Sequence, residues 1–213
     1  MGRMNVGVLA SGRGTDFQSL IDAVERGDLD VRLAVLICNN RDAPVIHRAE
    51  QHGVPWVFVD HRERSREAFE KEVIQELRHR EVDLVVFAGF MRLVTPYFID
   101  KFPNRILNIH PSLLPAFPGT HAQRDALEWG VKVSGCTVHL VDASVDGGPI
   151  VYQRAVSVQP GDTEETLATR ILKEEHRVLP YVVKLFAEGR VRVDGRRVTL
   201  DESGLEPLPP VGT

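Results

Sequence analysis

Over the first two-thirds of the chain, short runs of β-branched and aliphatic residues alternate with amphipathic stretches. That alternation predicts parallel strands connected by helices. The runs are Asn5–Ala10, Val31–Cys38, Val54–Val59, Asp83–Ala88 and Arg105–Ile109. Their nearly unbroken Val/Ile/Leu character predicts strands buried on both sheet faces. Between them, Phe17, Leu20, Ile21 and Val24 recur at helical spacing in Asp16–Arg26, and Phe69, Val73, Ile74 and Leu77 do the same in Ser65–Arg80. Each of these helices has one apolar face. Ser65, ahead of Glu67 and Glu70, is placed to cap the second one.

After residue 110 the pattern changes. The segment His110-Pro-Ser-Leu-Leu-Pro-Ala-Phe-Pro-Gly119 is too rich in proline for regular helix and predicts an ordered loop. Two alternating segments follow, Ser134–Val141 and Pro149–Val158, then a long helical stretch from Thr163 to Glu188. The chain closes on Glu206-Pro-Leu-Pro-Pro-Val-Gly-Thr213, which reads as a tail on the surface or disordered. The expected fold is α/β: a mostly parallel twisted sheet with helices on both faces, Rossmann-like, and a C-terminal part with antiparallel strands and a long helix. A single domain spans 1–213, with halves at 1–105 and 106–200 and a tail from 203.

Composition narrows the function classes. A length of 213 residues with 43% hydrophobic and 26% charged residues suits one compact core. A net charge of −4 and a pI near 6.1 give no overall attraction to polyanions, so neither nucleic acid nor a membrane surface is an expected partner. No apolar run approaches the roughly 20 residues of a membrane helix, and the N-terminus enters a core strand without a signal-peptide pattern. A cytoplasmic protein is expected, with Cys38 and Cys136 reduced inside apolar strands.

The first candidate site is Ser11-Gly12-Arg13-Gly14-Thr15-Asp16, lying between a strand and a helix. Backbone N–H groups at a helix N-terminus carry partial positive charge and can hold an oxyanion. A dinucleotide site would place a third glycine at position 17 and an acid after the second strand, whereas this chain has Phe17 and Asn39. Both departures favour a phosphate monoester, and a tight turn without ligand is the alternative. Asp16 is ambiguous, since a helix N-cap welcomes an aspartate that a phosphate would repel.

The second candidate lies in the C-terminal half. Period-two alternation puts Asn108 and His110 on one face of a strand, about 7 Å apart. Val145-Asp146-Gly147-Gly148-Pro149 places an aspartate on a tight turn between strands. Asn108, His110 and Asp146 together supply what acyl transfer to an amine requires: a donor for the developing oxyanion, a proton shuttle, and a carboxylate to orient the shuttle. Ser112 lies in the proline loop and no Gly-x-Ser-x-Gly elbow is present, so direct attack by the amine fits better than a covalent intermediate. His47, His52, His61, His79, His121, His139 and His176 show no metal-ligand spacing and read as surface or structural residues. No metal is expected.

These strings, with Ala-Gly-Phe-Met-Arg at 88–92, resemble the glycinamide ribonucleotide formyltransferases over nearly the whole chain. Asn-Ile-His-Pro-Ser-Leu-Leu-Pro at 108–115 followed by Asp-Gly-Gly-Pro at 146–149 carries the resemblance to enzymes that use 10-formyltetrahydrofolate. It implies that the formyl group passes from that folate to the amine of glycinamide ribonucleotide in purine synthesis. Asn108 and His110 then polarise the formyl oxygen, and Asp146 keeps His110 protonated and relays protons through water. Gly14, Thr15 and Asp16 match the phosphate-binding positions, and Glu175 an acid on the ribose hydroxyls. Met91, Arg92, Leu93 and Val94, with Asn108, match the folate pocket, and Arg66 a residue near the folate tail. Asp16 stands where the family often has asparagine, and Leu172 where some members carry a polar phosphate ligand. The expected partners are these small molecules, with the chain a monomer or homodimer. Formyltetrahydrofolate hydrolysis is the alternative within the family, in enzymes with an extra N-terminal regulatory domain.

Overall fold

The computed structural model describes residues 2–211; Met1 and the last two residues of the expected tail lie outside them. Seven strands form one sheet in the order β3-β2-β1-β4-β5-β6-β7, and two form a separate ribbon, β8-β9. The chain divides at Asn108/Ile109 into two compact units.

The first unit alternates strand and helix: β1 (Met4–Ala10), α1 (Thr15–Glu25), β2 (Val31–Cys38), α2 (Pro44–Gln51), β3 (Trp56–Phe58), α3 (Arg66–His79), β4 (Leu84–Phe87), α4 (Pro96–Ile99) and the start of β5 (Ile106–His110). β1 pairs in parallel with both β2 and β4, and β2 with β3 and β4 with β5 likewise. β1 and β4 are buried almost throughout, as their unbroken apolar runs require. Ser65 caps α3 as its sequence position predicts, its Oγ accepting from the Ala68 N–H.

β3 is shorter than the run Val54–Val59 predicts. The Val54 N–H bonds back to the Ala49 carbonyl to finish α2, and Pro55 has no N–H to give the ladder. Three residues remain, at the sheet edge, with Trp56 partly exposed.

The second unit contains α5 (Ala122–Glu128), β6 (Val133–Leu140), β7 (Ile150–Ser157), α6 (Glu164–Ala187), β8 (Val191–Asp194) and β9 (Arg197–Leu200). β6 and β7 pair antiparallel as expected. Thr163 and Thr166 form a reciprocal capping box at the start of α6. The β8-β9 hairpin is not among the expected elements. Its signal is Gly195, at φ 57°, which with Arg196 makes the two-residue turn between alternating valines, Asp194 pairing with Arg197 across it.

Strand order sets where ligands can enter. Chain order runs β3-β2-β1 in one direction and β4-β5 in the other, so the sheet has its switch point between β1 and β4. In open parallel sheets the crevice beyond the strand carboxyl ends at such a point is the usual ligand site. Two loops leave from it, residues 11–14 after β1 and 88–95 after β4.

Candidate active site

The loop after β1 is built from main chain. Gly14 occupies the N-cap of α1 in the left-handed region, with φ 70° and ψ 32°. A Cβ there would come within 2.3 Å of Val45 Cγ2, so glycine is required by both conformation and space. Glycine at the cap offers no side chain to the first N–H groups of α1, which by helix geometry have no acceptor inside the helix. Asp16 is thus not the cap but the second helical residue. Burial pushes its carboxyl up to about 6, so a proton is retained there more readily than on an ordinary aspartate.

Ser11 ties this loop to the one after β4. Its N–H donates to the Gly89 carbonyl at 3.0 Å, and its Oγ accepts from the Met91 N–H at 3.0 Å while donating to Asn39 Oδ1 at 2.7 Å. His61 Nδ1 in turn donates to the Asn39 carbonyl at 2.9 Å. On the 88–95 loop Met91 is 68% exposed and Leu93 55%, unusual for such large apolar side chains in an ordered segment. The Arg92 guanidinium lies 5.2 Å from the centre of the Phe69 ring, and Val94 is half-buried. Below them Glu70 is fully buried and accepts from both the N–H and the hydroxyl of Thr95, which fixes the far end of the loop. Arg66, the first residue of α3, is exposed.

The second unit carries a cluster of titratable side chains. His110, 4% exposed at the end of β5, directs Nδ1 toward Asp146 Oδ2 at 3.5 Å. Its Nε2 lies 2.8 Å from the Phe117 carbonyl. Both ring nitrogens thus face oxygen atoms, which fixes the plane of the ring. Asp146 Oδ2 also accepts from the Gly119 N–H at 2.8 Å, so the C-terminal end of the proline loop meets both the imidazole, through Phe117, and the aspartate, through Gly119. Asp146 sits at φ 50°, a conformation that aspartate tolerates better than most residues. Gly148 follows, where a Cβ would meet the Leu140 carbonyl oxygen at 1.8 Å. Asn108 is half-buried two residues before His110 on the same strand.

His139, read from sequence as a surface or structural histidine, is buried and hydrogen-bonded, and it also neighbours the aspartate. It is 2% exposed, its Nδ1 bonds the Leu140 carbonyl at 2.9 Å, and its Nε2 stands 3.7 Å from Asp146 Oδ1. Burial lowers its pKa, against the opposing pull of the Leu140 carbonyl and Asp146. The Asp146 carboxylate is therefore flanked by two imidazoles. Period two relates His139 to Thr137 on β6, but a lone histidine in an apolar run gives no sign of which loop it will meet.

Thr137 orders the proline loop from beneath. Its hydroxyl donates to the Ser112 carbonyl at 2.7 Å and accepts from the Leu114 N–H at 3.0 Å, while Gln153 bonds the Leu114 carbonyl at 2.9 Å. The Ser112 hydroxyl is fully buried and donates to the Ala116 carbonyl, which leaves it unsuited to nucleophilic attack. Glu175 is buried on α6. At the hairpin tip, Arg196 donates to the Gly147 carbonyl at 2.9 Å, next to the aspartate. Among the described residues no group of three His, Cys, Asp or Glu side chains could hold a metal ion, and no helix is long and apolar enough to cross a membrane.

A mostly parallel sheet with a Gly-x-Gly turn after its first strand, and a buried histidine at the end of its fifth that faces an aspartate, places the protein in the α/β class with a polar site in its second unit. Residues 4–183 match the formyl transferase family, and the chain belongs to that family. Phosphoribosylglycinamide formyltransferase of Escherichia coli K12 is 39% identical over 205 residues, which cover 96% of this chain and 97% of that protein. The crystal structure of glycinamide ribonucleotide transformylase 1 from Symbiobacterium toebii superposes with a TM-score of 0.91 at 52% identity, covering 93% of this chain and 94% of that one. A formyltetrahydrofolate deformylase from Pseudomonas syringae pv. tomato superposes with a TM-score of 0.87 at 28% identity, covering 93% of this chain and 66% of that one.

Proposed function

We propose that this enzyme transfers the formyl group of 10-formyltetrahydrofolate to the amine of glycinamide ribonucleotide, releasing formylglycinamide ribonucleotide and tetrahydrofolate in purine biosynthesis. The observation that carries the mechanism is the His110 ring held between Asp146 and the Phe117 carbonyl. The folate supplies an activated formyl group on a nitrogen leaving group. The Asn108 amide donates a hydrogen bond to the formyl oxygen as negative charge gathers there during amine attack. His110 Nε2–H joins it by exchanging the Phe117 carbonyl for that oxygen, one acceptor for another. Asp146 holds the ring by Nδ1 and passes the proton lost by the amine toward the departing nitrogen through water. The bond to the folate nitrogen breaks as the new carbon–nitrogen bond becomes an amide, and the proton count balances.

Met91 and Leu93 offer an apolar seat for a flat pterin ring, with the 91–94 main chain supplying polar contacts and Arg66 lying toward the glutamate tail. Gly14, Thr15 and Asp16 receive the ribonucleotide phosphate on backbone N–H groups, and Glu175 takes the ribose hydroxyls. The partners are these small molecules, in the cytoplasm, with the chain acting as a monomer or homodimer.

The test is optical and uses the purified chain. Conversion of 10-formyltetrahydrofolate to tetrahydrofolate should require glycinamide ribonucleotide. Equal conversion without the acceptor would make the chain a hydrolase, and no conversion under either condition would refute the reading.

A further inference from the structure

Three contacts fasten the loop after β1 to α2. The Val45 N–H donates to the Gly12 carbonyl at 3.1 Å, and Arg48 Nε donates to the Arg13 carbonyl at 2.9 Å. Gly14 packs so closely on Val45 that no Cβ fits between them. Arg48 is itself held, since its Nη1 donates to Gln18 Oε1 at 2.9 Å and Gln18 Nε2 donates to Asp22 Oδ1 at 2.8 Å along α1. The guanidinium thus reaches from α2 across to α1, with the loop carbonyl between.

In a trans peptide the C=O and N–H point in opposite directions. Tying the Gly12 and Arg13 carbonyls to α2 turns the N–H groups of Arg13 and Gly14 away from it. Successive N–H groups turned to one side, continuous with the first N–H groups of a helix, make an anion-binding concavity. The Arg13–Gly14 peptide lies outside any ladder, and Gly14 is in the left-handed region, so the Arg13 carbonyl is held by the Arg48 side chain and not by strand pairing. A flip of that plane would present the carbonyl oxygen to the ligand in place of an N–H.

We propose that Arg48 is a positioning residue for the phosphate of the ribonucleotide: by holding the Arg13 carbonyl it keeps the Arg13–Gly14 peptide in the orientation that offers N–H groups to the anion. This rests on the phosphate reading given above. Arg48 acts through the loop, since two of its nitrogens are already engaged by protein acceptors. Its contribution therefore falls on ribonucleotide binding and leaves the formyl-transfer step alone.

Arg48→Ala should raise the KM for glycinamide ribonucleotide about tenfold, the size expected for one charge-assisted hydrogen bond, with kcat and the folate KM within about twofold of the parent. Arg48→Lys, which keeps one donor on a stem of similar reach, should recover most of that loss. The companion measurement is an amide NMR titration of the parent chain with inorganic phosphate and with the ribonucleotide, which should shift the signals of residues 13–17. Shifted signals with an unchanged ribonucleotide KM in Arg48→Ala would overturn the role of Arg48 and leave the phosphate site standing. Unshifted signals in the parent would overturn the phosphate site itself. A fall in kcat with a parallel rise in both KM values and a lowered Tm would make Arg48 a general structural tie and overturn the proposal.

Discussion

The two candidate binding regions solve the handling of charge in opposite ways. The loop after β1 in the first unit presents main-chain N–H groups, with a glycine at the cap and an arginine whose task is to hold a carbonyl. The cluster around Asp146 in the second unit presents side chains, two imidazoles and a carboxylate, with the main chain of Phe117 and Gly119 as their partners. A backbone site binds an anion whose charge does not change during reaction, at fixed partial charge. A side-chain site can gain and lose protons, which acyl transfer to an amine demands.

The contrast is broken most severely by disarming the side-chain cluster. His110→Ala or Asp146→Asn should lower kcat by roughly 10²-fold or more while Tm changes little, since each removes a group that acts in the transition state. Asparagine tolerates the left-handed backbone at 146, so the turn should survive. Stopped-flow or steady-state rates near those of the parent would show that the cluster is structural.

A middle-sized effect tests the backbone region through pH. The Asp16 carboxyl has its pKa raised by burial to about 6 in the fold, against 3.8 for an ordinary aspartate. The folded state then binds the proton more tightly than the unfolded chain does, so stability declines as pH rises from near 4 to near 6 and is level beyond. Asp16→Asn should stabilise the protein by about 1–3 kcal/mol at pH 8, discounted toward the lower figure because the residue is only half-buried, and by little at pH 4. Thermal melts at the two pH values check this, and equal shifts at both would show that the carboxyl carries no such cost.

The smallest effect sharpens the link between the loops after β1 and β4. Ser11→Ala removes the acceptor for the Met91 N–H and should raise the folate KM a few-fold, on the order of 1 kcal/mol. An unchanged folate KM would mean that the 88–95 loop holds its shape without Ser11.

Much of this was legible along the chain, and the reason differs by residue. The apolar runs of β1, β2 and β4 and the faces of α1 and α3 were readable because burial on both sheet faces and helical periodicity leave direct marks in the pattern. Asn108, His110 and Asp146 stood out as polar residues at strand ends and turns in apolar surroundings. Arg48, Thr137, Gln153 and His139 did not, because a residue that acts by bonding a distant carbonyl or flanking a distant carboxylate looks the same in sequence as one that meets solvent. Val54 and Pro55 carry a strand pattern but lie outside β3, because Val54 bonds back to the end of the preceding helix.

The chain by itself determined the α/β class, the parallel run of strands, the family, and the identity of the residues with chemistry to offer. These follow from side-chain type and spacing, which are local. Only the tertiary structure decided that both nitrogens of His110 face oxygen atoms, that a second imidazole attends Asp146, that Asp16 sits in the first turn of α1 in a place that favours its proton, and that Arg48 grips the glycine loop. Each of those depends on contacts between residues about 7 to 40 positions apart, and local pattern carries no record of which distant partner a hydrogen-bonding group will find.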